Sequence, residues 1–251
     1  MSPRRADLVL VERGLFESRA QARAAIEAGG VTANGRTVQK PSEPIDADVE
    51  LTATPAHPWV GRGALKLVHA LNIWEIAVEG RVVLDVGAST GGFTEVCLAR
   101  GARRVYAVDV GRGQLHGRLA GDPRVINLEA TDARTLTPAL IPEPPGLIVT
   151  DVSFIGLAKA LPVALALAAP GADLAALVKP QFEVGPGRVG KGGVVRDEAA
   201  RRDALAAVET FLTAEGWEVQ ATTDSPIEGG DGNREYLLWS RHSGARKGRP
   251  A

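Results

Sequence analysis

The 251-residue sequence is poor in several kinds of residue, and each shortage excludes a class of protein. It has one cysteine, Cys97, so no disulfide can form within the chain, which suits a reducing cytoplasm. The longest apolar stretch, residues 157–177, is interrupted by lysine, proline, glycine and aspartate, and it cannot span a membrane. The N-terminus also lacks the apolar segment of a secretion signal. A cytoplasmic protein without membrane insertion is therefore expected.

Neither positive nor negative charge is in excess. The 29 lysines and arginines nearly balance 30 acidic residues, and the net charge is −1. A polyanionic partner would therefore have to bind a local basic patch. With 45% hydrophobic residues, the chain can bury a sizeable core and still leave room for a second, smaller module. We expect two domains, no resident metal and a monomer.

What the sequence does contain is a strand, a tight turn and a helix across residues 82–98. The apolar run 82–86 carries an acid at its carboxyl end and then breaks into small residues before helical spacing resumes. Glycines there let the backbone approach a ligand, and a helix N-terminus offers free N–H groups. The predicted cofactor-binding residues of this turn are Asp85, Gly87, Ala88, Ser89, Thr90, Gly91, Gly92 and Phe93.

The spacing of the glycines narrows the choice of cofactor. A dinucleotide site requires G-x-G-x-x-G, but here the middle glycine is missing, and no phosphate-binding Gly-Lys-Ser/Thr follows. The pattern D-x-G-x-x-x-G-G instead resembles motif I of the S-adenosylmethionine-dependent methyltransferases. For the motif alone, a turn with a purely structural role remains the alternative.

The next two strands also end near acids. Residues 103–109 form a short apolar strand ending in Asp109, about 20 residues after the glycines, where a ribose-binding acid is expected. A third strand, 125–128, leads to Asp132, where methyltransferases of this type often contact the adenine amino group. Asp132 has an alternative role as a helix cap. Val110 and Ala133, beside these acids, complete the predicted cofactor site.

Residues 1–55 have the pattern of a separate small domain. Two helices, about 6–13 and 18–28, precede a hairpin built on Asn34-Gly35, the pair preferred in type I′ turns. Ser18 is the predicted N-cap of the second helix. The words DLVLVERGL, SRAQA and GGVTANG resemble the α+β RNA-binding domain of ribosomal protein S4. Residues 56–62, with two prolines nearby, form the predicted linker to the second domain.

The S4-like segment is locally basic although the whole chain is not. By the resemblance, its basic side chains would meet RNA phosphates, contacts that position RNA without reading its sequence. For each of them the alternative is an ordinary solvated surface charge. The predicted contacts of this segment are Arg4, Arg5, Arg19, Arg23 and Lys40, with Arg62 at the end of the linker.

Two lysines and two acids are predicted to meet at one edge of the sheet. Lys66 lies near the start of a helix, Asp151 and Lys179 follow the apolar strands 147–150 and 174–178, and Glu235 precedes the last strand. The carboxyl ends of central strands meet at the ligand crevice of an open α/β sheet. Taken singly, Lys66 and Glu235 have an alternative as surface charges, and Asp151 as a helix cap.

Such a group suits a proton transfer. A ribose hydroxyl is a poor nucleophile and must lose its proton as it attacks a methyl group on sulfur. Lys179 is the predicted general base, and Lys66 would favour its neutral form and steady the developing oxyanion. Asp151 and Glu235 would orient the amines and the hydroxyl.

The Lys, Asp, Lys, Glu order, together with the turn GASTGGFT, resembles the FtsJ-like ribose 2′-O-methyltransferases. Joined to the S4-like segment, it resembles the TlyA family, the haemolysin-named ribosomal RNA cytidine 2′-O-methyltransferases. DVSFI at 151–155, VKPQFEVG at 178–185 and GGVV at 192–195 carry this closer match. The resemblance implies a Rossmann-like α/β domain over residues 63–242, with a mostly parallel seven-stranded sheet and helices on both faces.

The same resemblance implies S-adenosylmethionine as cofactor and ribosomal RNA or a ribosomal subunit as partner. Cytidines of large-subunit rRNA are the expected acceptors, with small-subunit rRNA added in longer members. Phe154 is predicted to stack on an RNA base, unless it faces the core. Arg188 and Lys191 lie in a glycine-rich run that would close over RNA or serve as a passive connection. Residues 243–251 are expected to form a basic, flexible tail.

Three other functions are compatible with parts of this pattern. A nicotinamide-dependent oxidoreductase is disfavoured by the missing glycine of the turn. A membrane-lytic haemolysin would need an amphipathic segment, and the sequence shows none that supports this function. A ribosome-assembly factor that binds RNA without catalysis remains open, because the binding features do not require a working lysine.

Overall fold

A computed structural model describes residues 3–244, so residues 245–251 of the predicted tail lie outside the described part. The chain divides into two compact units, Met1–Pro58 and Trp59–Ala251. Residues 59–62, which the sequence assigned to the linker, belong to the second unit. Each unit has a hydrophobic core of its own.

The first unit is a small α+β domain. Its elements are β1 (Arg4–Arg5), α1 (Ala6–Glu12), α2 (Arg19–Glu27), β2 (Val31–Ala33), β3 (Arg36–Thr37), β4 (Pro44–Ile45) and β5 (Leu51–Ala53). Strand β1 pairs with β4, and a second small sheet has the order β3-β2-β5. Ser18 caps α2 by accepting the N–H of Gln21 at 3.3 Å. Asn34 and Gly35 both adopt positive φ angles, 50° and 75°, as a type I′ turn requires.

The second unit is an α/β domain. Its helices are α3 (Ala64–Ile73), α4 (Gly92–Ala99), α5 (Gly117–Ala120), α6 (Leu157–Ala160), α7 (Pro162–Ala166), α8 (Pro180–Glu183) and α9 (Glu198–Ala214). Its strands are β6 (Val82–Val86), β7 (Arg104–Val108), β8 (Val125–Leu128), β9 (Leu147–Thr150), β10 (Asp173–Val178), β11 (Trp217–Asp224) and β12 (Tyr236–His242). Neither α9 nor β11 was predicted from the sequence.

The seven strands form one sheet with the order β11-β12-β10-β9-β6-β7-β8. Strands β8, β7, β6, β9 and β10 are parallel, and β12 runs antiparallel to both of its neighbours. Val83 and Leu84 are neighbours in β6, so their side chains lie on opposite faces of the sheet, and each belongs to a different hydrophobic cluster. Both faces of the sheet are therefore covered. The predicted fold class is confirmed.

The order of the strands determines where a ligand can bind. After β6 the chain moves outward through β7 and β8, and it then returns to place β9 on the other side of β6. A crevice opens beyond the carboxyl ends of the strands at such a switch point. The turn after β6 and the residues after β9 therefore face each other.

Asp173, the first residue of β10, connects three segments at the end of the sheet opposite the crevice. It is 1% exposed, and it accepts hydrogen bonds from Arg81 Nη1 at 2.6 Å, Trp239 Nε1 at 2.9 Å and Arg241 Nε at 3.1 Å. Burial works to raise the pKa of Asp173, but the hydrogen bonds outweigh it and the pKa is lowered. One carboxylate thus joins the chain entering β6 to β10 and β12.

We expect Asp173→Ala to lower the free energy of unfolding by about 2–3 kcal/mol, because Arg81 and Trp239 lose their acceptor while partly buried. Chemical denaturation followed by circular dichroism measures the change. Glu143, which pairs with Arg103 and Arg104 at the surface, supplies a control. Glu143→Ala should cost less than about 1 kcal/mol, and equal losses in the two variants would contradict a special role for Asp173.

Candidate active site

A cavity of about 760 Å³ opens at the carboxyl ends of β6, β7 and β9. Six of the predicted cofactor residues line it: Gly87, Ser89, Asp109, Val110, Asp132 and Ala133. Ala88 and Phe93 are instead buried in the core behind the turn. Gly91 and Gly92 form the N-cap and first residue of α4, while Thr90 is exposed. The turn thus contributes both a wall of the cavity and the support beneath it.

The backbone of the turn needs its glycine at position 87. Gly87 has a φ of +85°, and a Cβ there would lie 2.9 Å from the carbonyl oxygen of Asp151 and 3.0 Å from Val152 Cγ1. Real Cβ atoms essentially never approach backbone so closely, and the positive φ is unfavourable for other residues. Only glycine lets the turn after β6 lie against the residues after β9.

Asp109 ties the turn to β7. Its Oδ2 accepts the N–H of Ser89 at 2.8 Å, and its Oδ1 accepts the N–H of Gly111 at 2.7 Å. Each carboxylate oxygen has a second lone pair left to accept another hydrogen bond. Val110, 72% exposed beside it, offers an apolar surface to the same cavity. These acceptor oxygens and the apolar surface beside them fit a nucleoside with free ribose hydroxyls.

Asp132 acts as the cap that the sequence left as an alternative. Its Oδ1 accepts the N–H of Arg134 at 2.9 Å at the start of the 3-10 turn Ala133–Thr135. The Arg134 guanidinium also pairs with its Oδ2 at 2.5 Å, and this pairing lowers the pKa of Asp132. The carboxylate lines the cavity, so its contact with adenine remains a prediction.

Asp85 lies fully buried at the end of β6, behind the turn. Its Oδ2 accepts a hydrogen bond from Thr94 Oγ1 at 2.6 Å, while its Oδ1 has no partner. Burial raises the pKa of Asp85 to about 7; Asp151 and Asp109 add to the shift and Thr94 opposes it. An unpartnered buried oxygen next to the cavity wall fits a ligand that brings a hydrogen-bond donor or a positive charge.

The four predicted catalytic residues form two ion pairs. Lys66 Nζ lies 2.5 Å from Glu235 Oε2, with both side chains buried. Lys179 Nζ lies 2.6 Å from Asp151 Oδ1 and donates to Ser153 Oγ at 2.8 Å. Ser153 was not predicted, and nothing in its residue type distinguishes it from a surface serine.

Strand register brings these residues to the same edge. Val178 of β10 lies opposite Tyr236 of the antiparallel strand β12. Lys179 follows Val178 and Glu235 precedes Tyr236, so both lie at the same end of this strand pair. A Cβ on Gly63, the N-cap of α3, would lie 3.3 Å from Asp151 Oδ2, which brings the start of the Lys66 helix to the Lys179–Asp151 pair. Both ion pairs therefore lie at the edge that carries the cavity.

Phe154 projects from the rim of the cavity. It is 91% exposed, and its φ of +68° is a strained conformation for a bulky residue. Its ring lies 5.3 Å from that of Phe182. Glu183 steadies the segment by accepting the N–H of Leu157 at 2.9 Å, and burial raises the pKa of Glu183. Phe154 therefore does not face the core, and its stacking on RNA remains a prediction.

The other predicted RNA contacts of this unit have different surroundings. Arg62 donates to the carbonyl oxygen of Glu228 at 3.1 Å, and Arg188 pairs with Asp203 at 2.7 Å. Lys191 is exposed in the 3-10 turn Lys191–Gly193. The glycine-rich run is thus tied to α9 through Arg188.

The predicted RNA contacts of the first unit are also exposed. Arg4 pairs with Glu12 at 2.6 Å, and Arg23 lies 4.0 Å from Glu27. Lys40 is exposed. Arg5 and Arg19 differ from these, because both contact a buried carboxylate, that of Asp7.

Within residues 3–244, no helix is both long and apolar enough to cross a membrane. The same part of the chain contains no group of three or more histidine, cysteine or acidic side chains arranged to hold a metal ion.

Two family profiles match the chain: the S4 domain over residues 4–51 and the FtsJ-like methyltransferase over residues 59–242. The 16S/23S rRNA (cytidine-2′-O)-methyltransferase TlyA of Mycobacterium tuberculosis is 49% identical, over 94% of this chain and 89% of its own length. The 23S rRNA (cytidine-2′-O)-methyltransferase TlyA of Campylobacter jejuni is 38% identical, over 72% and 70%.

A solved structure of a haemolysin-named protein from Streptococcus thermophilus has a TM-score of 0.76 and 40% identity, and the match covers 97% of this chain and 90% of that one. Fold and site together define a class I methyltransferase. The chain belongs to the FtsJ-like methyltransferases and, within them, to the TlyA family.

Asp85 makes stability depend on pH in a defined direction. Its pKa is about 7 in the fold against 3.8 ordinarily, so from about pH 4 to about pH 7 the folded protein holds a proton that the unfolded chain has lost. The free energy of unfolding should therefore fall as pH rises through that window. Asp85→Asn does not titrate and should flatten this slope in denaturation curves.

Asp122 provides the control, because Arg124 lowers its pKa and its effect lies below pH 4. Asp122→Asn should leave the slope between pH 4 and 7 unchanged. If Asp85→Asn also keeps the wild-type slope, Asp85 is ionised in the folded protein and the assignment is wrong.

Proposed function

We propose that this protein transfers a methyl group from S-adenosylmethionine to the ribose 2′-hydroxyl of a cytidine in ribosomal RNA, chiefly that of the large subunit. The observation that carries the proposal is the arrangement of two lysine–carboxylate pairs beside a nucleoside-sized cavity. The family and the activities named for the relatives in Mycobacterium tuberculosis and Campylobacter jejuni support it. A ribosomal substrate implies action in the cytoplasm.

The residues of the cavity fit the cofactor. Asp109 would accept the ribose hydroxyls with its free lone pairs, and Val110 and Ala133 would pack against the adenine ring. The partnerless oxygen of Asp85 suits the positively charged amino-acid end, directly or through water. When bound, the cofactor supplies a methyl group on a positively charged sulfur.

Lys179 is the proposed general base. In its neutral form, Nζ would take the proton from the 2′-hydroxyl as that oxygen attacks. Asp151 and Ser153 hold Nζ from two sides at 2.6 and 2.8 Å, so its position is fixed before RNA binds. The buried Lys66–Glu235 pair keeps a second amine at the same edge, where its positive charge would steady the developing oxyanion.

Phe154 is the proposed stacking platform for the acceptor base. A ribose hydroxyl within a folded RNA reaches a recessed base catalyst more readily when its nucleotide leaves the stack. An exposed aromatic ring at the cavity rim can replace the lost stacking without selecting a particular base. The ring of Phe182 supports it from behind.

The first unit is proposed to anchor the enzyme on ribosomal RNA. The S4 profile covers residues 4–51, and exposed arginines lie on α2 and on β1. Contacts with phosphates would hold the RNA in place, leaving the choice of nucleotide to the cavity rim. Arg62, Arg188 and Lys191 would extend the basic surface of the second unit.

Replacing Lys179 tests the chemistry. We expect Lys179→Ala to keep cofactor affinity in calorimetry and to lower methyl transfer by at least about 10²-fold, because the proton has no acceptor. Lys179→Arg keeps the charge opposite Asp151 but cannot deprotonate, so it should be as inactive. Mapping of 2′-O-methylation on both rRNAs from cells carrying each variant gives the readout. Wild-type methylation in Lys179→Arg would exclude Lys179 as the base.

Removing residues 1–58 tests the anchor. The second unit has its own hydrophobic clusters and should remain folded. We expect the truncated protein to bind S-adenosylmethionine as before, while its Kd for large-subunit rRNA rises at least about tenfold and its salt dependence becomes less steep. Unchanged rRNA affinity in the truncated protein would show that RNA binds elsewhere.

A further inference from the structure

The first unit buries one carboxylate completely. Asp7 lies in the first turn of α1 and is 0% exposed. Arg5 grips it with Nε on Oδ1 and Nη2 on Oδ2, both at 2.9 Å, and Arg19 Nη2 reaches the same Oδ2 at 3.0 Å. A buried charge is costly unless it is paired and hydrogen-bonded, and here two guanidiniums satisfy one carboxylate.

The two arginines are held differently from their neighbours. Their side chains are 46% and 55% exposed, while their common partner is inaccessible to solvent. In the Arg4–Glu12 pair both partners are about half exposed, and such pairs are weakly ordered. Hydrogen bonding by Arg5, followed by that of Arg19, outweighs burial and lowers the pKa of Asp7 to about 2. Asp7 is therefore ionised at any physiological pH.

Sharing one oxygen fixes the arginines relative to each other. Both Nη2 atoms contact Oδ2, at 2.9 Å for Arg5 and 3.0 Å for Arg19, so the distance between the two nitrogens cannot exceed the sum of these contacts. Arg5 uses Nε and Nη2 on Asp7 and keeps Nη1, whereas Arg19 uses only Nη2 and keeps Nε and Nη1. These N–H groups are preordered donors, and preordering reduces the entropy lost when an anion binds.

We propose that Asp7 is a positioning residue that sets Arg5 and Arg19 into a two-arginine clamp for the RNA phosphate backbone. The proposal rests on the proposed function, in which the first unit binds rRNA. One negative charge between two positive ones leaves the clamp net positive. Its fork geometry suits phosphate oxygens, which arginine binds in bidentate fashion.

The clamp predicts that RNA affinity changes in the opposite direction from the one that total charge alone would give. Removing a negative charge from an RNA-binding surface should strengthen binding if only the total charge matters. If Asp7 orders the clamp, Asp7→Asn should instead weaken binding, because one arginine loses its anchor. The sign of the change therefore separates positioning from a general field effect.

The test uses the full chain and large-subunit rRNA from cells lacking the gene. We expect Asp7→Asn to raise the Kd about tenfold and to reduce the salt slope by about 1. In methyl transfer, KM for RNA should rise while kcat stays unchanged, whereas damage to the catalytic unit would lower kcat. Glu12→Gln, which frees the exposed Arg4, is the control and should bind as tightly as wild type or slightly tighter.

Arg5→Lys and Arg19→Lys keep the proposal testable if Asp7→Asn unfolds. Each keeps its charge on an exposed side chain but loses the fork, so each should weaken binding several-fold. Equal or tighter binding by folded Asp7→Asn, or unchanged binding by both lysine variants, overturns the clamp. Wild-type protein that fails to bind rRNA would instead overturn the proposed function itself.

Discussion

The close contact between Gly87 and the backbone of Asp151 is the constraint on which the site depends. It brings the turn after β6, which forms a wall of the cavity, against the residue that anchors Lys179. A side chain at position 87 would separate the two and move the proposed base away from the cofactor pocket. One left-handed glycine at the switch point of the sheet thus sets the distance between the cavity wall and the Lys179–Asp151 pair.

The buried acids of this protein are stabilised in two different ways. Asp173 and Asp7 each accept hydrogen bonds from two arginines, and the pKa of each acid is lowered. Asp85 is hydrogen-bonded by Thr94 alone and keeps one oxygen without a partner, and burial raises its pKa. The paired acids hold structure together, whereas the acid without an ionic partner lies behind the turn that forms a wall of the cavity.

Local sequence predicted much of this, because β-branched runs that end in acids and a glycine-rich turn determine their own conformation. It missed β11, an edge strand in which polar residues such as Glu218 and Gln220 alternate outward. Which lysine pairs with which acid depends on strand order, so the pairs Lys66–Glu235 and Lys179–Asp151 could not be assigned. Inspection of the basic residues in the sequence also could not show that Arg5 and Arg19 both donate hydrogen bonds to Asp7.

The partners in the Lys66–Glu235 pair are 169 positions apart. Glu235 directly precedes β12, the last strand of the chain, which lies between β10 and β11 in the sheet. Until Glu235 is in place, a lysine destined for burial has no counter-charge, and its burial is opposed. During synthesis, the turn after β6 leaves the ribosome well before Glu235, so the Lys66–Glu235 pair can form only when nearly all of the second unit has been made.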